Sequence, residues 1–367
     1  MRITARRAAL PVLAAIASTA LLAGCSQAPS SSPSTSSTSG ATQTTASNFL
    51  PCMISDSGGF NDHSFNELGY NGLVQAAKDL GVSQKSAQSK TDADYANNIN
   101  AMLNQNCNLI ITVGFLLADA TKAAAQKNPK TDFAIIDDNS IDLPNVQPIV
   151  FDTAEAAFLG GYAAASYSKT GVVGTYGGMQ IPTVTIYMDG FYDGVQYYNQ
   201  QKGKNVQVVG WNEKTQKGSF TGGFDNNTAA LTTAQGVLNQ NVDVVMPVGG
   251  PIYQAAASAI KSSGKSIALI GVDADVYYTD SSVQNILLTS VEKGIQQATE
   301  AVIKDSAAGK FSKTPYVGTL KNDGVGIAPF HNFAGKVDPN LQSELDTIKA
   351  GIIAGSITVA TPSAPKS

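Results

Sequence analysis

The feature that most restricts the fold is an alternation of short apolar runs and helix-like segments, which starts near residue 49. The runs "LPCMIS", "NLIITVG" and "DFAIID" are typical of buried strands. Helical patterns lie between them, such as residues 65–80, which Gly81 closes, and "YANNINAMLNQN". Strands that alternate with helices of this length form right-handed βαβ units, so this part of the chain predicts an α/β fold with a parallel sheet.

The alternation runs along the chain twice. After the helical segment "EAAFLGGYAAASYSK", a second series of strands begins at "GVVGTYGG" and ends at "SIALIGVD". About 310 residues are also more than one hydrophobic core normally holds. We therefore expect two doubly wound parallel-sheet lobes joined by a hinge. Lobe I is expected to contain 49–152 and about 276–320, and lobe II 153–275 and about 321–360.

The segment before residue 49 is typical of export and anchoring rather than of a folded core. A basic head, "MRITARR", precedes an Ala-rich apolar stretch that ends in "LAGC". This resembles the lipobox of bacterial lipoproteins, so residues 1–24 are expected to be a signal peptide and Cys25 the lipidated residue. The alternative is an ordinary signal peptide in which Cys25 has no role. Residues 25–48 are rich in Ser and Thr and predict a flexible tether. We expect a lipid-anchored protein on the extracytoplasmic face of the cell membrane.

Two cysteines, Cys52 and Cys107, lie beyond the export segment. Exported proteins tolerate disulfides, and an even count is compatible with one bridge. Cys52 lies in the first predicted strand and Cys107 just before a later one. From these positions, one disulfide and two buried free thiols are equally open alternatives.

Composition and motifs argue against nucleic-acid binding, a metal centre and catalysis. The net charge is -4 and no basic patch is visible, which argues against a nucleic-acid partner. His63 and His331 are far apart, and no Cys/His cluster has the spacing of metal ligands. No G-x-S-x-G elbow, Walker loop or zinc motif is present. We expect a protein that is not an enzyme and holds no cofactor.

Acidic residues follow several of the predicted strands. Asp56 comes after "LPCMIS", Asp119 just past "LIITVG", Asp137 at the end of "FAIID" and Asp273 at the end of "ALIGVD". Each one alone is also typical of a turn or a helix cap. In open α/β sheets, however, ligands bind outside the carboxyl ends of the strands. The sequence therefore predicts that these carboxylates converge on one ligand-binding rim.

An aromatic residue and a lysine stand out near these strand ends. Phe65 is flanked by Ser64 and Asn66, and its ring either packs inward as the next helix begins or stacks on a ring-shaped ligand. Lys293 follows a strand expected to end near Thr289. With Ser290 as the N-cap of a helix that runs to about residue 308, Lys293 would lie in the first turn, where the helix dipole disfavours a cation. It is either solvated or directed into the cleft, at a ligand oxygen or at Asp273.

Several stretches, in the same order along nearly the whole mature chain, resemble the basic membrane protein family of ABC-transporter substrate-binding lipoproteins. The most specific are "DSGGFNDHSFN" and "IGVDADVYYTDSSVQNILLTSVEK", and weaker ones are "FAIID", "PNVQPIVFDTAEAAFLGGYAAA" and "NDGVGIAPF". The resemblance implies a periplasmic-binding-protein fold of the ribose-binding type. It also implies that a monomer captures a purine nucleoside in the cleft between the lobes and delivers this small molecule to the membrane permease of an ABC importer.

The resemblance further implies which residues hold the base. Phe65 would stack on the purine face, an interaction worth about 1–3 kcal/mol per base. Asp56, Asn61 and Asn66 would form hydrogen bonds with the edges of the ligand, since an amide both donates and accepts and a carboxylate accepts.

The same resemblance places the sugar beside the other strand ends. Asp273 and Lys293 would hold the ribose hydroxyls. Asp119 is a further expected contact, and Asp137 a weaker one. Several buried carboxylates would repel a phosphate group, so the cleft is expected to favour an uncharged nucleoside.

The chain departs from the family pattern at the second aromatic residue that would close the base between two rings. The strand end reads "VVMPVGGP", with Met246 where a Phe is expected, and Phe220 and Trp211 are the other candidates. This departure leaves open an alternative, in which the same fold binds a sugar or another small polar ligand for uptake or signalling.

Overall fold

The computed structural model describes residues 48–365, so the predicted signal peptide, Cys25 and nearly all of the tether lie outside the described residues. The first part of the described chain alternates strands and helices as expected. Its elements are β1 (Pro51–Ser55), α1 (Phe65–Leu80), β2 (Lys85–Ala87), α2 (Asp92–Asn104), β3 (Leu109–Val113), α3 (Ala118–Lys127), β4 (Asp132–Ile136) and β5 (Val146–Phe151).

The alternation continues through a second series and a shorter final part. The second series is α4 (Thr153–Tyr167), β6 (Val172–Gly177), α5 (Pro182–Lys202), β7 (Gln207–Val209), β8 (Trp211–Asn212), β9 (Lys217–Gly218), α6 (Thr228–Leu238), β10 (Val244–Val248), α7 (Ile252–Ser263), β11 (Ala268–Asp273), α8 (Val276–Thr279) and β12 (Leu287–Lys293). The final part is α9 (Ile295–Ala307), β13 (Tyr316–Gly318), β14 (Val325–Ile327) and α10 (Leu341–Ile353).

Two six-stranded sheets organise these elements into two lobes. The first sheet has the order β13-β5-β4-β3-β1-β2, and the second β14-β12-β11-β10-β6-β7. Neighbouring strands are parallel in both sheets, with an antiparallel pair between β12 and β14. Both sheets therefore repeat the doubly wound order in which the first strand of the series lies between the second and the third. The predicted α/β fold with two parallel-sheet lobes is confirmed.

The chain passes between the two sheets at three places. It leaves the first sheet after β5, returns after β12, and leaves again after β13. The expected boundary at residue 276 is wrong, because β12 pairs with β11 along Leu269↔Leu287 to Asp273↔Glu292 and so belongs to the second sheet. Helix α9 then packs against α1 of the first lobe, and β14 and α10 contact α4 of the second.

Burial explains why these segments form these elements. All five residues of β1, β3 and β10 are buried, as expected for strands that helices cover on both faces. Helix α1 buries Leu73, Ala76 and Ala77 on one face and ends at Gly81, whose left-handed φ of 68° closes the helix. The helix predicted over residues 65–80 is therefore confirmed.

Cys52 and Cys107 form a disulfide, which decides between the two alternatives that the sequence leaves open. The bridge joins β1 to the turn before β3 and spans 55 residues of sequence. Closing a loop of this length restricts the unfolded chain, and native disulfides typically contribute about 2–4 kcal/mol. The disulfide thus reinforces the strand that carries Asp56 at its end.

Candidate ligand-binding site

A cavity lies where the carboxyl ends of strands from the two sheets face each other. It holds about 540 Å³ of space between atoms, part of which is open to solvent. Lobe I and lobe II both supply its walls, which include Asp56, Asp62, Phe65, Asn66, Asp137, Tyr187, Phe224, Asp273 and Lys293. The expected convergence of Asp56, Asp137 and Asp273 on one rim is therefore present in the structure.

Phe65 combines the two alternatives that the sequence offers. It is the first residue of α1 and is half-buried, packed in part against the hydrophobic core. It also lines the cavity, and the Lys293 ammonium lies 5.2 Å from the centre of its ring. The ring is thus fixed by packing while it remains available to a ligand.

Asn66 and Asp56 form one hydrogen-bonded cluster beside this ring. Asn66 Nδ2 donates to Asp56 Oδ1 at 2.8 Å and to Asp62 Oδ2 at 3.1 Å. The amide oxygen, Asn66 Oδ1, is buried and has no hydrogen-bond partner within residues 48–365. A buried acceptor without a partner is costly, so Asn66 Oδ1 is suited to accept an N–H or O–H group of a ligand.

Burial also sets the charge of Asp56. Desolvation raises the pKa of Asp56 to about 6, although hydrogen bonds from Asn66 and from the Gly58 backbone N–H oppose the rise. Both of these donors approach Oδ1, at 2.8 Å and 3.0 Å. Asp56 Oδ2 is therefore the oxygen best able to accept from a ligand.

Asp62 is a buried site residue that the sequence reasoning missed. Its carboxylate accepts from the backbone N–H groups of Ser64, Asn66 and Glu67 at 2.9–3.0 Å, and so caps the start of α1. The signal was present as an acid placed just before the helix. The expected contact was instead Asn61, its neighbour, which is exposed and does not line the cavity.

Asp119 also lies away from the cavity. It is an exposed residue in the first turn of α3 and is not among the residues that line the cavity. In its place, the first lobe contributes Gly114 and Phe115 from the end of β3. Gly114 can lie this close to Asp56 because it has no side chain. A Cβ at this position, where φ is 113°, would lie 2.8 Å from Asp56 Oδ2.

Lys293 lies at the end of a strand, so the expected place in the first turn of a helix is wrong. Ser290 is inside β12, paired with Gly271, and α9 starts only at Ile295. The Lys293 side chain is 3% exposed, and its Nζ donates to Asp137 Oδ2 at 2.6 Å. It also lies 3.7 Å from Asp273 Oδ1. The interpretation that its ammonium is directed into the cleft is consistent with this geometry.

Asp137 and Asp273 occupy equivalent positions in the two lobes. Asp137 follows β4 and Asp273 ends β11, each the fourth strand of its six-stranded sheet in chain order, and both have a left-handed φ of 69°. This backbone conformation is uncommon for residues other than glycine and is found at functional sites. The two carboxylates thus approach one ammonium from opposite lobes.

Further hydrogen bonds fix the carboxylate of Asp273. Tyr187 OH donates to Asp273 Oδ1 at 2.8 Å, and burial beside this carboxylate raises the pKa of Tyr187 well above its usual range. Burial raises the pKa of Asp137 as well, while the adjacent Lys293 ammonium opposes the rise. Two carboxylates around one ammonium leave a local excess of negative charge, which disfavours an anionic ligand.

None of the three candidates for a second stacking residue lines the cavity. Met246 is fully buried in β10, and Trp211 is buried and donates from Nε1 to Asp189 at 2.9 Å. Phe220 packs edge-on against Trp211, with ring centres 6.0 Å apart. Two other second-lobe aromatic residues line the cavity, Tyr187 of α5 and Phe224. The sequence reasoning missed Phe224 because it lies in a Gly-rich loop without a periodic pattern.

The two lobes touch at the side of the cavity. Ser64 Oγ of lobe I lies 3.1 Å from both the Val272 carbonyl oxygen and Asp273 Oδ2. Thr279 Oγ1 of lobe II donates to the His63 carbonyl oxygen at 2.8 Å. Together with the Lys293–Asp137 pair, these contacts hold the lobes together around the cavity.

Comparison with known proteins identifies the family. Residues 49–357 match the model of the Bmp family, described as ABC transporter substrate-binding protein PnrA-like. The chain belongs to the Bmp family. It is 30% identical over 362 residues to the ABC transporter nucleoside-binding protein BmpA of Lactococcus lactis, which covers 94% of this chain and 96% of that protein. It is 27% identical to the basic membrane protein A1 of Borrelia garinii, over 82% of this chain and 86% of that protein.

Solved structures support the same architecture for this Bmp-family chain. An ABC transporter solute-binding protein from Aeropyrum pernix superposes with a TM-score of 0.75 at 27% identity, over 86% of this chain and 94% of that one. A solute-binding protein from Conexibacter woesei gives a TM-score of 0.63 at 19% identity, over 85% and 99% of the two chains, and shows the fold alone.

Membership of the Bmp family establishes the general role of the chain. Its relatives are substrate-binding proteins of ABC transporters and not enzymes, so the prediction of a protein without catalytic activity is confirmed. Such proteins act outside the cytoplasm, where they bind a small molecule and deliver it to a permease. The resemblance to the basic membrane protein family is likewise confirmed.

Proposed function

We propose that this Bmp-family protein captures a purine nucleoside between its lobes and delivers it to the permease of an ABC importer. The observation that carries the proposal is a cavity whose lining combines the ring of Phe65, the carboxylate of Asp56 and Asn66 Oδ1, which has no hydrogen-bond partner among the residues that the structure describes. A flat base needs a stacking surface together with donors and acceptors at its edge. The name of the Lactococcus lactis relative, a nucleoside-binding protein, supports the same ligand class.

The two sides of the cavity suit the two parts of a nucleoside. Phe65 would stack on the base, with Phe224 available from the other lobe, while Asp56 and Asn66 accept hydrogen bonds from its edge. Asp137, Asp273 and Lys293 would bind the ribose hydroxyls, which both donate and accept. The ribose hydroxyls would then replace part of the hydrogen bonding that joins Lys293 to Asp137 in the ligand-free protein.

The charge of the site favours an uncharged ligand. Asp56, Asp137 and Asp273 are buried and line the same cavity, where Lys293 is the single lysine or arginine among the described lining residues. A phosphate group placed there would face carboxylates in a poorly solvated environment, and like charges repel strongly under these conditions. We therefore propose that nucleotides bind much more weakly than nucleosides.

Ligand capture would work through closure of the two lobes. The base side of the site is mainly on lobe I, and the group around Asp273 and Lys293 is on lobe II. A ligand that contacts both sides favours the closed state by its differential affinity for that state. The permease would then recognise the closed, loaded form.

We also propose that lipid on Cys25 holds the protein, as a monomer, at the extracytoplasmic face of the membrane. Within the described residues 48–365, none of the helices combines the length and the apolar character that a bilayer span requires. Labelling of cells with radioactive palmitate should mark the protein, and Cys25→Ser should abolish the label. Equal labelling of both chains would contradict the anchor.

A ligand screen by thermal unfolding tests the proposed function. Ligands that bind only the folded state raise the melting temperature, by mass action, and a concentration of about 100 Kd adds about 2.7 kcal/mol of stability. We expect purine nucleosides to raise the melting temperature, and nucleoside monophosphates and sugars at the same concentration to have little effect. A shift with a sugar and none with any nucleoside would overturn the proposal.

A further inference from the structure

The chain returns to the cleft after its last helix. Beyond α10, Ile357 and Val359 pack against the hydrophobic core, and the next residues reach the start of α5. Thr361 Oγ1 donates to Asp189 Oδ2, and the hydroxyl groups of Ser363 and Thr185 lie 2.7 Å apart. Residues 361–365, which we call the C-terminal strap, are therefore attached to lobe II beside the ligand cavity.

The strap lines a second cavity, which adjoins the first. This cavity holds about 840 Å³ of space between atoms, part of which is open to solvent, and is lined by residues 362–365 together with Asp138 and Ser140 of lobe I. Asp137 and Lys293 line both cavities. The strap thus faces lobe I across the cleft, on the side where the site holds its single lysine.

The polar groups of the second cavity do not offer a site for an anion. Asp137 and Asp138 are buried carboxylates, and Lys293, already paired with Asp137, is the single lysine or arginine among its described lining residues. The strap itself contributes two prolines, an alanine and one hydroxyl. Its role is therefore better explained by the space that it occupies than by a charge that it supplies.

We propose that the C-terminal strap is a specificity-determining wall of the ligand site, which limits how far a ligand extends beyond the group held by Lys293. The inference rests on the proposed function, under which that group is a ribose and the extension is a substituent at its 5′ position. The strap would admit an unmodified nucleoside and exclude a nucleoside with a bulky 5′ group, even a neutral one.

Trp211 supplies a signal for strap attachment that needs no ligand. It is the single tryptophan of the chain, it is buried, and its indole N–H donates to Asp189 Oδ1 at 2.9 Å. Thr361 donates to the other oxygen of the same carboxylate. Release of the strap removes that hydrogen bond and uncovers Asp189, so it should change the emission of Trp211 and increase its quenching by acrylamide.

The test uses the full-length chain and three variants. One lacks residues 361–367, one carries Thr361→Val, which keeps the side-chain shape without the hydroxyl, and the control lacks only residues 366–367. Each is titrated by calorimetry with a purine nucleoside, its neutral 5′-alkylthio derivative and its 5′-monophosphate. Because the alkylthio derivative is neutral, its weaker binding would report the steric effect of the strap and not repulsion by Asp137 and Asp138.

In the full-length chain and the control, the alkylthio derivative should bind at least ~10-fold more weakly than the nucleoside, as expected for a pocket that is too small by several atoms. Removal of residues 361–367 should reduce this difference to within about threefold, and Thr361→Val should reduce it in part. The monophosphate should remain weak in every chain because both carboxylates are still present. Trp211 quenching should rise in the two strap variants alone.

Two results would overturn the strap proposal: an unchanged difference between nucleoside and alkylthio derivative after the deletion, or equal Trp211 quenching in the full-length and deleted chains. Absence of binding of any nucleoside by the full-length chain would instead contradict the proposed function. The Trp211 comparison would still test the attachment of the strap to lobe II, since it requires no ligand.

Discussion

At the scale of single residues, Phe65 has the clearest expected effect on ligand binding. Its ring lines the cavity but only part of it packs against the core, so Phe65→Ala should remove a stacking surface and leave the fold intact. We expect a loss of about 1–3 kcal/mol in nucleoside binding, roughly 5- to 150-fold in Kd. Calorimetry measures this directly. Phe311→Ala, at a half-buried ring outside the cavity lining, is the control, and unchanged affinity in Phe65→Ala would assign its ring to the core alone.

Asp56 predicts a dependence of affinity on pH. Its pKa is about 6 in the ligand-free protein, and the carboxylate accepts an N–H group of the ligand more strongly than the protonated acid does. Affinity should therefore be constant above about pH 7 and fall by up to about tenfold per pH unit below pH 6. Asp56→Asn should bind weakly with no such dependence, whereas Asp305→Asn, at an exposed site, should keep it. Affinity that rises as the pH falls would show that Asp56 acts as a neutral donor.

The same shift has a consequence for the stability of the ligand-free protein. The folded-state pKa of Asp56 lies above its usual value, so the folded protein binds more protons between about pH 4 and pH 6. By linkage, Asp56 makes the ligand-free protein less stable as the pH rises through this window. A ligand that donates a hydrogen bond to the buried carboxylate of Asp56 offsets that loss of stability.

The sequence predicted most of the residues of the candidate site but not how they interact. Asp56 and Asp273 line the cavity, as their positions at strand ends suggest, and so do Phe65, Asn66 and Lys293, which the family resemblance implies. Their partners could not be predicted, because they depend on contacts between lobes. The shortest contact of Lys293 is with Asp137, which the family resemblance implies only weakly as a ligand contact. No sequence pattern marks the loop that carries Phe224.

At the scale of elements, β12 shows how tertiary contacts override a local signal. Ser290 followed by a charged, helix-favouring segment is typical of a helix N-cap. In the structure, Ser290 Oγ accepts from the Val276 backbone N–H at 3.1 Å, and Ser290 pairs with Gly271 in the sheet. The strand therefore continues to Lys293, which explains both the misplaced lysine and the misplaced lobe boundary.

The contact between α4 and α5 gives a matched pair of glycine substitutions. A methyl group at Gly161 of α4 would lie 2.0 Å from the Phe191 carbonyl oxygen, whereas one at Gly236 of α6 meets nothing within 4 Å. Gly161→Ala should destabilise the protein by at least about 1–3 kcal/mol through overpacking. Gly236→Ala should stabilise it by roughly 0.5–1 kcal/mol, because alanine favours a helix more than glycine does. Urea unfolding measures both changes, and equal midpoints would contradict the close packing of the two helices.

At the scale of the whole molecule, the repeated alternation of strands and helices was sufficient to predict the two lobes. Local patterns carry this information, since period and length distinguish strands from helices within each series. The positions of the three passages between the sheets are harder to predict: those near residues 152 and 320 are expected from the sequence, whereas the one expected near residue 276 lies after β12. They depend on which strand edge each late segment pairs with, and β13 and β14 are only three residues each.

The central claim is that the two lobes close on one purine nucleoside. Native mass spectrometry of protein isolated without added ligand tests it most directly, because each bound molecule adds its own mass. The account predicts one added nucleoside per chain, released on unfolding and much reduced in Phe65→Ala. A sugar, a nucleotide or two molecules per chain in the added mass would contradict it.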